Sequence, residues 1–166
     1  MIGGLTPLHF GALLSPAGTD GVDELLQLVA AGHAHTASGR CDVVSLLEML
    51  DEQDSTALHR AVTSGNVAVL KRLLAQPGCK PNVRGVAGRT PLHCAVLSSS
   101  ESVEVLLEHP EVGRAGANIR HDGGLTTLHF AAVHARSCPA ARASLGVLLA
   151  SIKVDTSLTA VLSFRV

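Results

Sequence analysis

Thr90-Pro91-Leu92-His93 is one of four forms of a single tetrapeptide; the others are Thr6-Pro7-Leu8-His9, Thr56-Ala57-Leu58-His59 and Thr126-Thr127-Leu128-His129. The residue types explain the recurrence. A threonine hydroxyl accepts from the orphan amides of a first helical turn. Proline is favoured at the next position, where its missing N–H costs nothing. The leucine then points inward, and the histidine falls at the third helical position, where a ring nitrogen can reach back to the cap. Each copy therefore opens a short helix. Ala57 and Thr127 stand where the other copies have proline, and both are tolerated there. The four histidines lie 50, 34 and 36 residues apart. Such repetition belongs to a stack of similar helix pairs, not to a single closed core, and the longest interval has room for about one and a half units.

A second helical pattern follows each opening. The clearest runs Gly65-Asn66-Val67-Ala68-Val69-Leu70-Lys71-Arg72-Leu73-Leu74, in which Val67, Leu70, Leu73 and Leu74 share a face that Lys71 leaves. It returns as Glu24-Leu25-Leu26-Gln27-Leu28-Val29, Val103-Glu104-Val105-Leu106-Leu107 and Leu145-Gly146-Val147-Leu148-Leu149. These units resemble ankyrin repeats over residues 3 to about 152, and four spaced copies make the signal specific. The resemblance implies an all-α solenoid of helix pairs joined by β-hairpin-like fingers, with about four repeats and one partial. The expected division is a single domain over 1–166, with repeats at 3–35, 54–86, 87–122 and 123–152, a partial repeat at 36–53 and a truncated or irregular end at 153–166.

The departures from the pattern lie in three places. Gly39-Arg40-Cys41-Asp42-Val43-Val44-Ser45-Leu46-Leu47 reads as a second helix with no Thr-x-Leu-His before it. Asp51-Glu52-Gln53-Asp54-Ser55 then enters the next cap at once, so the usual finger is expected to be missing. Ser15 to Asp20 and Arg136 to Pro139 add residues between paired helices, and their Pro and Gly mark surface loops.

Hydrophobic residues make up 46% of the 166, yet Trp and Tyr are absent and the aromatics are Phe10, Phe130 and Phe164. Small residues of this kind suit helix stacking. No apolar stretch approaches the ~18 residues of a membrane span, and the N-terminus lacks the basic region and cleavage site of a secretory signal. Cys41, Cys79, Cys94 and Cys138 form no C-x-x-C pair, which predicts reduced thiols in a cytoplasmic or nuclear protein. The alignment implied by the family puts Cys94 at a buried helix position. The formal charge of −1 is unevenly spread. Residues 1–58 hold eight acids and one base, a balance of −7, and the rest hold twelve bases and six acids, a balance of +6. Between Asp54 and Glu101 there is no acid, against Arg60, Lys71, Arg72, Lys80, Arg84 and Arg89.

Other chemistries find little footing. The four cap histidines would stand about 10 Å apart along a stack, too far to share a metal. His33-x-His35 is the one close pair, and no cysteine follows it at finger spacing. Gly85-Val86-Ala87-Gly88-Arg89 lacks the Lys-Ser/Thr of a phosphate loop and reads as a turn. Near-neutral charge and few stacking aromatics disfavour nucleic acid. No nucleophile motif appears. Ser98-Ser99-Ser100-Glu101 reads as a capping box, with a serine that a kinase could reach.

What remains is recognition of a partner protein, without catalysis, cofactor, metal or small-molecule substrate. The resemblance implies a concave surface made of finger tips and first helices. Mapping the family pattern Asp-x-x-Gly-x-Thr onto this chain selects Glu52, Gln53 and Ser55, then Val86, Ala87 and Arg89, then Asp122, Gly123 and Leu125. The helix-end positions add Thr63 and Ser64, Leu97 and Ser98, and Val133 and His134, with Arg84 and Arg120 flanking on the fingers. The basic centre predicts an acidic peptide or protein face as partner. A second expectation is that the chain is a fragment of a larger protein whose catalytic or channel activity lies elsewhere.

Overall fold

In the computed structural model, residues 5–14, 19–31, 35, 36, 39, 40 and 42–151 are described. The expected inter-helix loop at 15–18, His33, Cys41 and the end at 153–166 lie outside them. Each tetrapeptide opens a first helix: α1 (Pro7–Leu14), α4 (Ala57–Thr63), α6 (Pro91–Ser98) and α9 (Thr127–His134). Each is followed by a second helix: α2 (Asp20–Ala30), α5 (Val67–Leu74), α7 (Ser100–Glu108) and α10 (Pro139–Ser151). Between the first and second pairs lie a two-residue antiparallel ribbon, β1 (His35–Thr36) with β2 (Gly39–Arg40), and the short helix α3 (Val43–Glu48). Another short helix, α8 (Gly113–Ala117), follows α7.

The first helices form a continuous row: α1 packs on α4, α4 on α6, and α6 on α9. The tetrapeptide leucines Leu8, Leu58 and Leu92 are buried in that row, with Ala12, Val62 and Val96 a turn further along. Val22, Leu26 and Val29 of α2, Val69, Leu70, Leu73 and Leu74 of α5, and Val103 and Leu106 of α7 close the core from the second-helix side. Each such aliphatic side chain contributes about 1.5–3 kcal/mol by leaving water. α10 packs against α6, α7 and α9 and covers the last layer.

The 50-residue interval does not interrupt the row, because α1 meets α4 directly and α3 is set to one side. The carboxylate of Asp42 caps α3 by accepting the Ser45 N–H at 2.8 Å. α3 touches both α2 and α4, and Glu48 reaches Lys80 at 2.7 Å in the turn beyond α5. The serine run departs from its expected capping box by one residue. Ser99 is the cap of α7, accepting from the Ser102 N–H at 3.2 Å. Ser98 is half-buried and its hydroxyl donates to the Val62 carbonyl at 2.6 Å. Helix α7 can begin only after Ser98 has turned back toward α4, so the cap moves on by one.

Candidate interaction surface

Three five-residue turns precede the second, third and fourth caps, and they are built alike. The N–H of Asp51 donates to the Ser55 carbonyl at 3.0 Å, that of Gly85 to Arg89 at 2.7 Å, and that of His121 to Leu125 at 3.1 Å. The fourth residue of each has positive φ: Asp54 at 49°, Gly88 at 66° and Gly124 at 76°. The shortened approach to the second repeat therefore still ends in a finger tip. There Asp51 supplies what local chain length does not. Its buried carboxylate accepts the N–H groups of Gln53 at 2.8 Å and Ser55 at 3.0 Å, and Arg60 donates to it from Nε at 2.6 Å. Burial works against its charge, but these bonds outweigh it and hold the carboxyl below the ordinary range.

The cap histidines tie the fingers to the helices. In all four copies Nδ1 lies 2.7–2.9 Å from the threonine hydroxyl. In the first three it also accepts the threonine N–H, as the acid does in a capping box. That network assigns the remaining proton to Nε2. From there His9 donates to the Ser55 carbonyl at 2.8 Å, His59 to Arg89 at 3.0 Å and His93 to Leu125 at 3.4 Å. Each acceptor is also the carbonyl that closes the next repeat's finger. Burial keeps all three imidazoles neutral, lowering their pKa values, that of His93 to about 4. Serine hydroxyls add further ties between helices: Ser64 at the end of α4 donates to Ala12 at 2.9 Å, Ser98 at the end of α6 to Val62, and Ser144 within α10 to Val96 at 3.3 Å.

The expected surface residues fall into two groups. Glu52, Val86, Leu97 and Asp122 are exposed, as are Val133 and Thr63. Val133 is 62% exposed, Val86 45% and Leu97 38%, and Val133 and Leu97 occupy equivalent places near the ends of α9 and α6. Leu125 is half-buried, and Gln53 accepts from Arg60 Nη2 at 2.8 Å. His134 bonds the Phe130 carbonyl through Nδ1 at 2.8 Å, and its ring lies 4.2 Å from that of Phe130.

The basic residues of the centre are mostly engaged within the chain. Among the described residues, four of the six bases in the acid-free run find acids outside it, and Arg89 does not. Arg60 pairs with Asp51, Arg72 with Asp23, Lys80 with Glu48, and Arg84 with Asp122 at 3.0 Å. Arg84 also donates to the carbonyls of Gly88 at 3.2 Å and Arg120 at 2.8 Å, while the Asp122 N–H bonds the Ala87 carbonyl at 3.0 Å. Arg84 thus fastens one finger to the next. Arg120 donates to the Gly124 carbonyl of its own finger at 2.9 Å. Arg89 turns inward instead, its guanidinium carbon 5.1 Å from the centre of the Phe130 ring. His93, at 5.9 Å, and His121, at 5.5 Å, join His134 around that ring. Arg89 lines a cleft of about 230 Å³ with Thr63, His93, Cys94, Leu97 and Ser98. Cys94 is half-buried in that cleft wall and not enclosed, whereas Cys79 is buried; burial raises both thiols, that of Cys79 to about 11. No helix among the described residues is long and apolar enough to cross a membrane.

Comparison with known proteins agrees with this geometry. The family described as ankyrin repeats (3 copies) matches residues 27–116, more than half of the chain. An ankyrin repeat-containing protein of Schizosaccharomyces pombe is 35% identical over 86 residues, which are 52% of this chain and 37% of that protein. The human transient receptor potential cation channel subfamily A member 1 is 33% identical over 109 residues, which are 60% of this chain and 9% of the channel. The chain therefore spans well under half the length of these curated relatives. Among solved structures, the ankyrin repeat domain of Bcl-3, a member of the IkappaB protein family, superposes with a TM-score of 0.69 at 24% identity, covering 91% of this chain and 58% of that one. On the four caps, the shared fingers and the match across its centre, the chain belongs to the ankyrin repeat family.

Proposed function

We propose that this chain is a non-catalytic binding module that holds a partner protein against its finger tips and first helices. Ankyrin repeats are generally protein–protein interaction modules. The observation that carries the reading here is the placement of exposed apolar side chains. Among the described residues seven large hydrophobics are exposed; four of them, Phe10, Val86, Leu97 and Val133, stand on a finger or on first helices, and Leu50 adjoins a finger. An apolar patch rimmed by polar groups on a folded surface marks an interaction site. Glu52, Gln53, Asp122 and His134 add polar groups on the same fingers and first helices, and Arg84, Arg89 and Arg120 add basic ones. An acidic face on the partner suits the basic groups, and its binding weakens as salt rises. The test is affinity capture from lysate with the wild type and with a Leu97→Asp/Val133→Asp variant of unchanged melting temperature. Loss of the captured partner in the variant is expected; retention places the interface elsewhere.

The length of the relatives favours a second reading alongside the first, in which these repeats serve a longer protein with an activity of its own. Sequencing of the full transcript decides it.

A further inference from the structure

Two basic side chains are half-buried among the described residues, Arg60 and Arg89. Arg60 is neutralised by Asp51. Among the described residues Arg89 has no acid within ion-pair reach, and its Nε is closed off from solvent without an acceptor. The Phe130 ring holds the guanidinium by its face, leaving the edge donors unanswered. The Arg89 side chain lines an open cleft whose other walls include Thr63, Cys94 and Leu97. One repeat further on, Val133 extends the apolar row.

We propose that this cleft takes the carboxylate of one acidic residue in an extended segment of the partner, gripped end-on by the Nη groups of Arg89, with a neighbouring apolar side chain of the segment on Leu97 and Val133. The inference rests on the interaction-module reading and narrows it: Arg89 is the anchor, while Arg84 and Arg120 are engaged in fastening fingers. A guanidinium already part-desolvated and fixed on a ring loses little further hydration and freedom when it binds, so a carboxylate gains more there than at an exposed arginine.

The experiment pans a display library of random peptides, about a dozen residues long, against the whole chain. The best binders are then titrated as synthetic peptides. The expected peptides share an Asp or Glu beside a Leu, Ile, Val or Phe. Arg89→Met, which keeps the apolar stem on Phe130, should weaken them about tenfold or more, and so should Glu→Gln in the peptide. Arg136→Gln, at an exposed base, should leave affinity within about twofold. Should Arg89→Met melt early, the peptide substitution on wild-type protein decides alone. Peptides that shift the methyl resonances of Leu97 and Val133 but lack a shared acid, or bind Arg89→Met equally, overturn the anchor and leave the module reading standing. Peptides that leave those resonances unmoved overturn both. Self-association of the chain that Arg89→Met abolishes would assign the cleft to a second copy and also overturn the proposal.

Discussion

Asp51 does more for the second finger than any residue around it, and its importance is not visible in the tetrapeptide pattern. Its carboxylate is buried and holds two backbone N–H groups and the Arg60 guanidinium at once. The equivalent positions on the next fingers are Gly85, which has no side chain, and His121, whose Nδ1 accepts the Gly123 N–H at 2.8 Å but holds no guanidinium. Removing one member of a buried ion pair leaves the other charge and its amides unanswered, so Asp51→Ala should lower unfolding stability by about 3 kcal/mol. Urea denaturation of the variant beside wild type measures this, and a loss below about 1 kcal/mol would mean that water replaces the carboxylate. Glu52→Ala, one residue away and exposed, should stay within about 0.5 kcal/mol. The contrast is physical: adjacent acids in sequence differ because only one of them points under the turn.

Gly88 shows how an element depends on one residue's shape. It sits at positive φ in the third repeat's finger, and a Cβ there would collide with Asp122 Oδ1 and come within 2.7 Å of Arg84 Nη2. Gly88→Ala therefore combines left-handed backbone strain with a broken fastening between fingers. It should cost about 2 kcal/mol or more, with the ring protons of His121 and the amide of Asp122 shifting by NMR. An unshifted Asp122 amide would show that the fingers are not coupled. A second expectation concerns α2 and α3. The first-helix row continues from α1 to α9 without a break, but α3 lies outside it, tied by the Lys80–Glu48 pair and by the buried Leu46 and Leu47, with less contact to α2 and α4 than the first helices make with one another. Hydrogen exchange should open α2 and α3 before α4 and α6, because local opening follows contact density. Equal protection in all four helices would sink this. How far these elements were legible in the sequence follows from the range of the forces that make them. The four caps are read directly, since threonine, proline and histidine act within one turn. The core faces follow from helical periodicity. The partners of Arg84 and Arg72 lie 38 and 49 residues away, so a run without acids does not reveal which of its bases are paired. α8, a five-residue helix with two glycines, has no apolar period to announce it.

Across the molecule, the three cap histidines join repeat to repeat through neutral imidazoles, and this gives the solenoid a pH dependence of definite sign. Burial lowers the pKa values of His9, His59 and His93, the last to about 4, whereas in the unfolded chain each titrates near the ordinary value of 6.5. The unfolded state therefore binds more protons than the folded one as pH falls below about 6.5. The stabilisation is fully present above that pH and is lost on the way down toward the folded pKa values. While the folded state stays neutral, each histidine gives up at most about 1.4 kcal/mol per pH unit. Asp51 also has a lowered pKa, but its contribution falls away only below the ordinary carboxylate range, near 3.8, so the two effects separate on the pH axis. The urea midpoint should hold steady from pH 8 to 7 and drop clearly between pH 6.5 and 5. His93→Gln keeps a Thr-x-x-Gln capping box and loses the titrating ring with its bond to Leu125. It should start about 1 kcal/mol less stable at pH 7.5 and show a shallower fall. A wild-type midpoint that does not change across pH 6.5–5 would mean that the histidines are protonated inside the stack, and that the chain of cap, carbonyl and finger is held by imidazolium instead of imidazole.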